Sequence, residues 1–169
     1  QKKLLKWTVP GIAHVFAFWG FLILGITVVT AFGELVIENF SIPIFGTWQV
    51  VRFMEDLFAV LVLVGIVMFA IIRLTNNPAK QGRASRFFGS HTKGAWLVLL
   101  MIFLVVATLL TYRGAKVNNI ADTVEHAADM EGAFASQVVG GWLAPLEDAN
   151  LWVETVFIWF HITVILAFL

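Results

Sequence analysis

Long apolar runs alternate with polar segments along this chain. A helix needs roughly 20 apolar residues to cross a bilayer core of about 30 Å, and three runs are close to that length. A fourth contains Glu154 near its start and keeps only about fifteen uninterrupted apolar residues, so we expect it to continue beyond Leu169. The pattern predicts an all-α integral membrane helical bundle with spans at 10–32, 50–72, 95–112 and 151–169.

The longest polar segment, 113–150, separates the last two spans. Within it, residues 132–144 are mostly small and apolar and include Trp142 and Leu143, but they are too few to cross a bilayer. We therefore expect a helix there that lies at the membrane interface or re-enters the membrane from one side.

Composition supports a membrane location. Hydrophobic residues make up 60% of the chain and charged residues 13%, whereas soluble domains average roughly 45–50% apolar and 25% charged. The sequence contains no cysteine, so it can hold neither a disulfide nor a thiolate-ligated iron–sulfur cluster. Any iron–sulfur cluster must therefore belong to a partner or to another domain.

Basic residues are concentrated before the first span and between the second and third spans. These residues are Lys2, Lys3, Lys6, Arg73, Lys80, Arg83, Arg86 and Lys93. Because Lys and Arg favour the cytoplasmic side of a membrane, we predict that both segments, and with them the N-terminus, are cytoplasmic. Arg113 and Lys116 contradict this pattern because they follow the third span on the side predicted to be outside.

Two histidines lie inside the first and last apolar runs, where an imidazole is costly to bury and usually has a functional partner. Small residues surround His14, and aromatic residues such as Trp159 and Phe160 flank His161. Both environments suit a flat macrocycle between antiparallel helices, so His14 and His161 are predicted to be axial ligands of haem b iron. The alternative is that each imidazole only binds a backbone carbonyl in the core.

The predicted depths of these two histidines differ. At about 1.5 Å per residue, His14 lies some 5 Å below the cytoplasmic surface and His161 about 15 Å from the opposite one. Because the two depths differ by roughly 10 Å, an alternative is that one of these histidines shares its iron with a histidine outside this chain.

Other candidate residues lie between the spans. His91, at the cytoplasmic start of the third span, is the second-choice ligand, a quinone or proton-handling site, or a solvated turn residue. His126 lies in an acidic loop and is expected at the surface. Arg83 and Arg86 are a candidate docking surface for an acidic electron-transfer partner, unless they serve only to orient the protein.

Two carboxylates, Glu55 and Asp56, lie near the start of the second span beside Arg52. We expect them to pair with Arg52 or to face water. A role in relaying protons is the alternative, because ionisable groups at membrane depth often mark such paths.

Three segments resemble a known group of membrane proteins. They are 10–14 (PGIAH), 69–74 (FAIIRL) and 83–97 (RASRFFGSHTKGAWL). They are similar to the membrane domain of actinobacterial heterodisulfide-reductase-related iron–sulfur proteins, which in turn resembles the gamma subunit of respiratory nitrate reductase, a five-helix cytochrome b. The resemblance spans nearly the whole chain, and segment 83–97 is its most specific part.

The resemblance implies the membrane domain of a quinone-linked oxidoreductase in the bacterial plasma membrane. Electrons would pass through haem b between a cytoplasmic iron–sulfur domain or subunit, in some members supplied by electron-transfer flavoprotein, and menaquinone. His14 matches a haem-ligand position in the family's second helix and His161 matches one in its fifth. A first helix would then be absent from this sequence, and the chain would be part of a longer polypeptide.

The chain also departs from the family. The gamma subunit carries a second histidine on its second helix, but Leu4 and Leu24 occupy the corresponding spacings on either side of His14. Its fifth helix carries a second histidine at a spacing that falls beyond Leu169. One haem is therefore better supported than two.

Two other functional classes stay open from the residues alone. A cofactor-free membrane anchor for a redox domain would tolerate loss of both His14 and His161. A small transporter or channel would also use intramembrane histidines, but the spans show neither paired interruptions nor a repeated half.

Overall fold

The structure, a computed structural model, describes residues 8–37, 40–85, 87–89, 92–120 and 131–169. These residues are mostly helical and contain no β-strand, which confirms the all-α prediction. The helices are α1 (Thr8–Glu34), α2 (Gln49–Thr75), α3 (Pro78–Gln81), α4 (Thr92–Ile120), α5 (Phe134–Leu143) and α6 (Ala149–Phe168), with single 3₁₀ turns at Gly82–Ala84 and Ala144–Leu146.

Helices α1, α2, α4 and α6 are long and apolar enough to cross a membrane, so the chain is a multi-pass membrane protein. The 27 residues of α2 correspond to about 40 Å of helix at 1.5 Å per residue, which exceeds a bilayer core of about 30 Å. Helix α4 is also longer than predicted. The apolar run ends at Tyr112, but the helix continues through Arg113 and Lys116 to Ile120.

Helix α4 lies at the centre of the bundle. It packs most extensively against α6 and α5 and also contacts α2, whereas α1 packs mainly against α2 and touches α6 over a small area. The buried core therefore draws on several helices. Its members are Leu24, Ala59, Val62, Val106, Leu109, Leu110, Tyr112 and Ala135.

Close approach of helices α1 and α2 depends on a glycine. A methyl group added at Gly20 would overlap the side chain of Val62. Transmembrane helices associate through close packing and hydrogen bonds, because lipid tails are as apolar as the side chains that face them. A small residue at this contact allows the two backbones to meet.

The chain between α2 and α4 folds back onto the end of α2. Gln81 Nε2 donates a hydrogen bond to the carbonyl of Thr75 at 2.8 Å, and the Ser85 hydroxyl donates to the carbonyl of Asn76. The Arg73 guanidinium lies 4.7 Å from the centroid of the Phe87 ring. These contacts hold the basic segment against the bundle.

The short helix α5 lies within 132–144, where the sequence predicts a helix too short to cross a bilayer. It packs against α4 and α2 beside the last turns of α4. The backbones of α5 and α4 are in close contact here. A Cβ atom added to Gly140 would lie only 2.9 Å from the carbonyl oxygen of Gly114. The next residue, Gly141, has open space at its Cβ position.

This difference predicts opposite effects for two neighbouring substitutions. Gly141→Ala should raise the free energy of unfolding by about 0.5–1 kcal/mol, because alanine is the better helix former and nothing obstructs its methyl group. Gly140→Ala should lower it, since the methyl group would push α5 away from α4. Thermal unfolding of the purified protein in detergent measures both changes, and equal effects at the two positions would contradict the described contact.

Candidate functional site

Three helices each direct a carboxylate toward α4 at one end of the bundle, which we call the carboxylate end. There Lys116 donates to Glu34 of α1, Arg113 Nη1 lies 3.0 Å from Glu55 Oε2 of α2, and Asn119 donates to Glu154 of α6. Each pair joins α4 to a different helix. The polar residues beyond Tyr112 therefore fasten α1, α2 and α6 to the central helix.

Asp56 is completely buried beside this set of pairs. Its carboxylate accepts hydrogen bonds from the Ser136 backbone N–H at 2.7 Å and from the Ser136 hydroxyl at 2.9 Å, and it lies 3.6 Å from Arg113 Nη1. Ser136 is in the first turn of α5, and the residue at the N-terminal cap, Ala133, has no side chain that can cap the helix. Asp56 on α2 therefore caps α5 from a distance.

From the sequence we predict that Glu55 and Asp56 pair with Arg52 or face water. The structure shows Arg113 in direct contact with both carboxylates. Arg113 and Lys116, the two cations that depart from the predicted charge pattern, are each paired with a carboxylate inside the bundle. Two cations three residues apart at the end of an apolar helix could have indicated such pairing.

His161 lies in the middle of α6 and is 0% exposed. Its Nδ1 atom is 2.9 Å from Thr108 Oγ1 on α4. The centroid of its ring is 5.6 Å from the ring centroid of Tyr112, one turn further along α4. Neither Thr108 nor Tyr112 was identified from the sequence, because isolated Thr and Tyr residues in an apolar run carry no signal of their own.

The bonds around Thr108 show which nitrogen of His161 carries the proton. Thr108 Oγ1 lies 2.7 Å from the carbonyl oxygen of Leu104, and a carbonyl can only accept. The single hydroxyl hydrogen is thus donated to the backbone, and the hydroxyl oxygen must accept from the imidazole. Thr108 Oγ1 also lies 3.1 Å from the carbonyl oxygen of Val105, a second acceptor on its own helix. Nδ1 is therefore the protonated nitrogen, and Nε2 of the neutral ring bears a lone pair.

Nε2 of His161 is buried and has no hydrogen-bond partner among the residues that the structure describes. Most buried polar atoms in proteins are hydrogen-bonded, so such an atom needs an explanation. A histidine that binds a metal shows this arrangement, with one nitrogen on the metal and the other N–H held by an acceptor. A core histidine that only hydrogen-bonds a carbonyl would explain the partner of Nδ1 but not the lack of a partner at Nε2.

His14 is exposed on α1, and its ring packs edge-on against Phe69 of α2 with centroids 4.6 Å apart. The Glu34–Lys116 pair brings the last turns of α1 and α4 to the same level. Measured from that level at 1.5 Å per residue, His14 lies about 30 Å along α1, and Thr108, level with His161, lies about 12 Å along α4.

The difference in depth between the two histidines is therefore roughly 14–18 Å, depending on whether it is measured along α2 or α1, and the prediction was roughly 10 Å. Axial ligands of one iron must face each other across a single porphyrin plane. The structure therefore does not place His14 and His161 where both could bind the same iron.

The remaining candidates lie elsewhere. Arg83 is exposed on the 3₁₀ turn that follows α3, at the end of the bundle opposite to the carboxylate end. Arg86, His91 and His126 lie outside the described residues.

Comparison of the chain with protein-family models, with curated proteins and with solved structures found no match. The similarity to the nitrate reductase gamma subunit stays a prediction from the sequence.

The buried pair of Arg113 and Glu55 predicts a strongly destabilising substitution. Arg113→Met should lower the free energy of unfolding by about 3–5 kcal/mol, because it removes the cation that directly contacts both buried carboxylates. Thermal unfolding monitored by circular dichroism measures the loss. Arg83→Met is the matched control, since Arg83 is exposed, and its effect should stay within about 0.5 kcal/mol.

The double variant Glu55→Met with Arg113→Met distinguishes the effect of an unpaired buried charge from the effect of altered side-chain packing. It removes both charges, and Asp56 keeps its two bonds from Ser136, so it should be more stable than Arg113→Met alone. A double variant as unstable as the sum of its single changes would show that Arg113 and Glu55 do not act as a pair.

Proposed function

We propose that this chain is the membrane domain of a quinone-linked oxidoreductase, in which His161 is an axial ligand of haem b. One observation carries the proposal: Nε2 of His161 is buried and has no hydrogen-bond partner among the described residues, whereas Nδ1 lies 2.9 Å from Thr108 Oγ1. The resemblance found in the sequence supports the same cofactor.

The donor set suits haem better than an isolated metal ion. The described residues hold no cluster of three or more His, Cys, Asp and Glu side chains, and a bare ion bound by protein alone needs about three or four such ligands. A porphyrin supplies four nitrogens itself, so one or two histidines suffice. Because His161 is fully enclosed, binding requires the side chains beside Nε2 to move apart.

The residues of this chain have separate roles in the proposal. Haem, when bound, supplies one-electron chemistry. His161 holds the iron, Thr108 holds the imidazole, and the apolar core keeps water away. His14 would serve a second haem or take a partner ligand from outside the chain, because it lies too far from His161 to share an iron.

The proposed function requires two electron-transfer partners. The basic segment that contains Arg83 and Arg86 would face the bacterial cytoplasm and dock the iron–sulfur domain or flavoprotein. Menaquinone would exchange electrons with the haem from within the membrane. His91 remains our candidate for handling quinone or protons.

The alternative functions account for fewer observations. A cofactor-free anchor explains the paired charges of the carboxylate end but leaves Nε2 of His161 without a role. A transporter would be expected to have broken helices at its binding site, whereas α1, α2, α4 and α6 are each continuous.

A dithionite-reduced minus oxidised absorption spectrum tests the proposal on purified full-length protein. We expect a b-type alpha band in the wild type and its loss, or a loss of the intensity from one haem, in His161→Ala. His126→Ala is the matched control and should keep the wild-type spectrum. His14→Ala should leave the signal that depends on His161 intact, because the two residues do not share an iron.

A spectrum without a b-type band in folded wild-type protein would overturn the haem proposal and favour the anchor. A full band in folded His161→Ala would show that haem is bound elsewhere. Size-exclusion chromatography and circular dichroism establish that each variant is folded.

A further inference from the structure

We propose that Thr108 is a positioning residue that holds His161 in one tautomer and ring orientation and lowers the reduction potential of the iron bound at Nε2. This inference rests on the proposed haem function. It concerns a residue on α4 that touches the ligand but does not itself reach the iron.

The geometry forms a chain of two hydrogen bonds. His161 Nδ1–H donates to Thr108 Oγ1 at 2.9 Å, and the Thr108 hydroxyl donates to the carbonyl of Leu104 at 2.7 Å. Thr108 is only 2% exposed, so water does not compete for these bonds. Hydrogen bonds in series polarise one another in a low-dielectric environment, which makes the Thr108 oxygen a better acceptor.

Other threonines on these helices show what Thr108 adds. Thr111, one turn along the same helix, donates to the carbonyl of Ala107 at 2.8 Å, and Thr163 donates to Trp159 in the same way. A threonine that faces lipid or core can thus satisfy its hydroxyl within its own helix. At Thr108 the hydroxyl also joins α4 to α6 across 53 positions of sequence.

The consequence for iron follows from the direction of the first bond. An imidazole that donates Nδ1–H to a good acceptor becomes more basic at Nε2. A more basic ligand stabilises ferric iron relative to ferrous iron, so the reduction potential falls. The bond also fixes the plane of the ring, because rotation about the Cβ–Cγ bond would break it.

Three variants of the full-length protein test this role. Thr108→Val removes the hydroxyl at nearly constant shape, Thr108→Ser keeps it, and Thr111→Val is the matched control on the same helix. The measurements are a potentiometric titration of the haem, the low-spin ferric electron paramagnetic resonance spectrum, and the ratio of haem to protein.

We expect Thr108→Val to raise the midpoint potential, to shift the ferric g-values and to weaken haem binding roughly 10- to 100-fold. Thr108→Ser should restore all three properties, and Thr111→Val should change none of them. If Thr108→Val does not fold, Thr108→Ala takes its place as the variant without a hydroxyl.

The outcomes separate this inference from the proposed function. A haem that depends on His161 but has the same potential and g-values in Thr108→Val overturns the role of Thr108 and leaves the haem site standing. Equal shifts in Thr108→Val and Thr111→Val would show a general packing effect and also overturn it. Absence of haem from the folded wild-type protein removes the proposed function itself.

Discussion

The interior of a membrane offers no water to a polar group, and this constraint organises the whole bundle. Every donor, acceptor or charge at membrane depth must find a partner within the protein or carry a cost of several kcal/mol. Arg113, Glu55 and Asp56 meet this requirement together by pairing across α4, α2 and α5. The same requirement makes Nε2 of His161 conspicuous, because it stands without a partner among the described residues.

The central position of α4 is a second consequence of this constraint. Its polar last turns contact a carboxylate from each of the other three long helices, and Gly114 lets α5 approach its backbone. Closer to the middle of the same helix, Thr108 and Tyr112 lie beside the imidazole of His161 on α6. One helix therefore connects the charged end of the bundle to the buried histidine, and a change in the packing of α4 would reach both.

Several features were readable from the residues alone. The four apolar runs predicted the four long helices, and small apolar residues at 132–144 predicted α5, because length and hydrophobicity bound what can cross a bilayer. His161 was singled out by its apolar surroundings. The extension of α4 to Ile120 was missed, since Arg113 and Lys116 look like loop residues until their partners on other helices are known.

The order of the amino acids was enough to show that the chain forms apolar helices and which few polar residues lie within them. It did not determine which residues meet, because helices such as α1 and α6 are apolar on nearly all sides and show no stripe that marks the inward face. Glu55 and Arg113 are 58 positions apart, and Thr108 and His161 are 53 apart. Only the packing of the helices paired them, and only that pairing placed the proton of His161 on Nδ1 and separated His161 from His14 in depth.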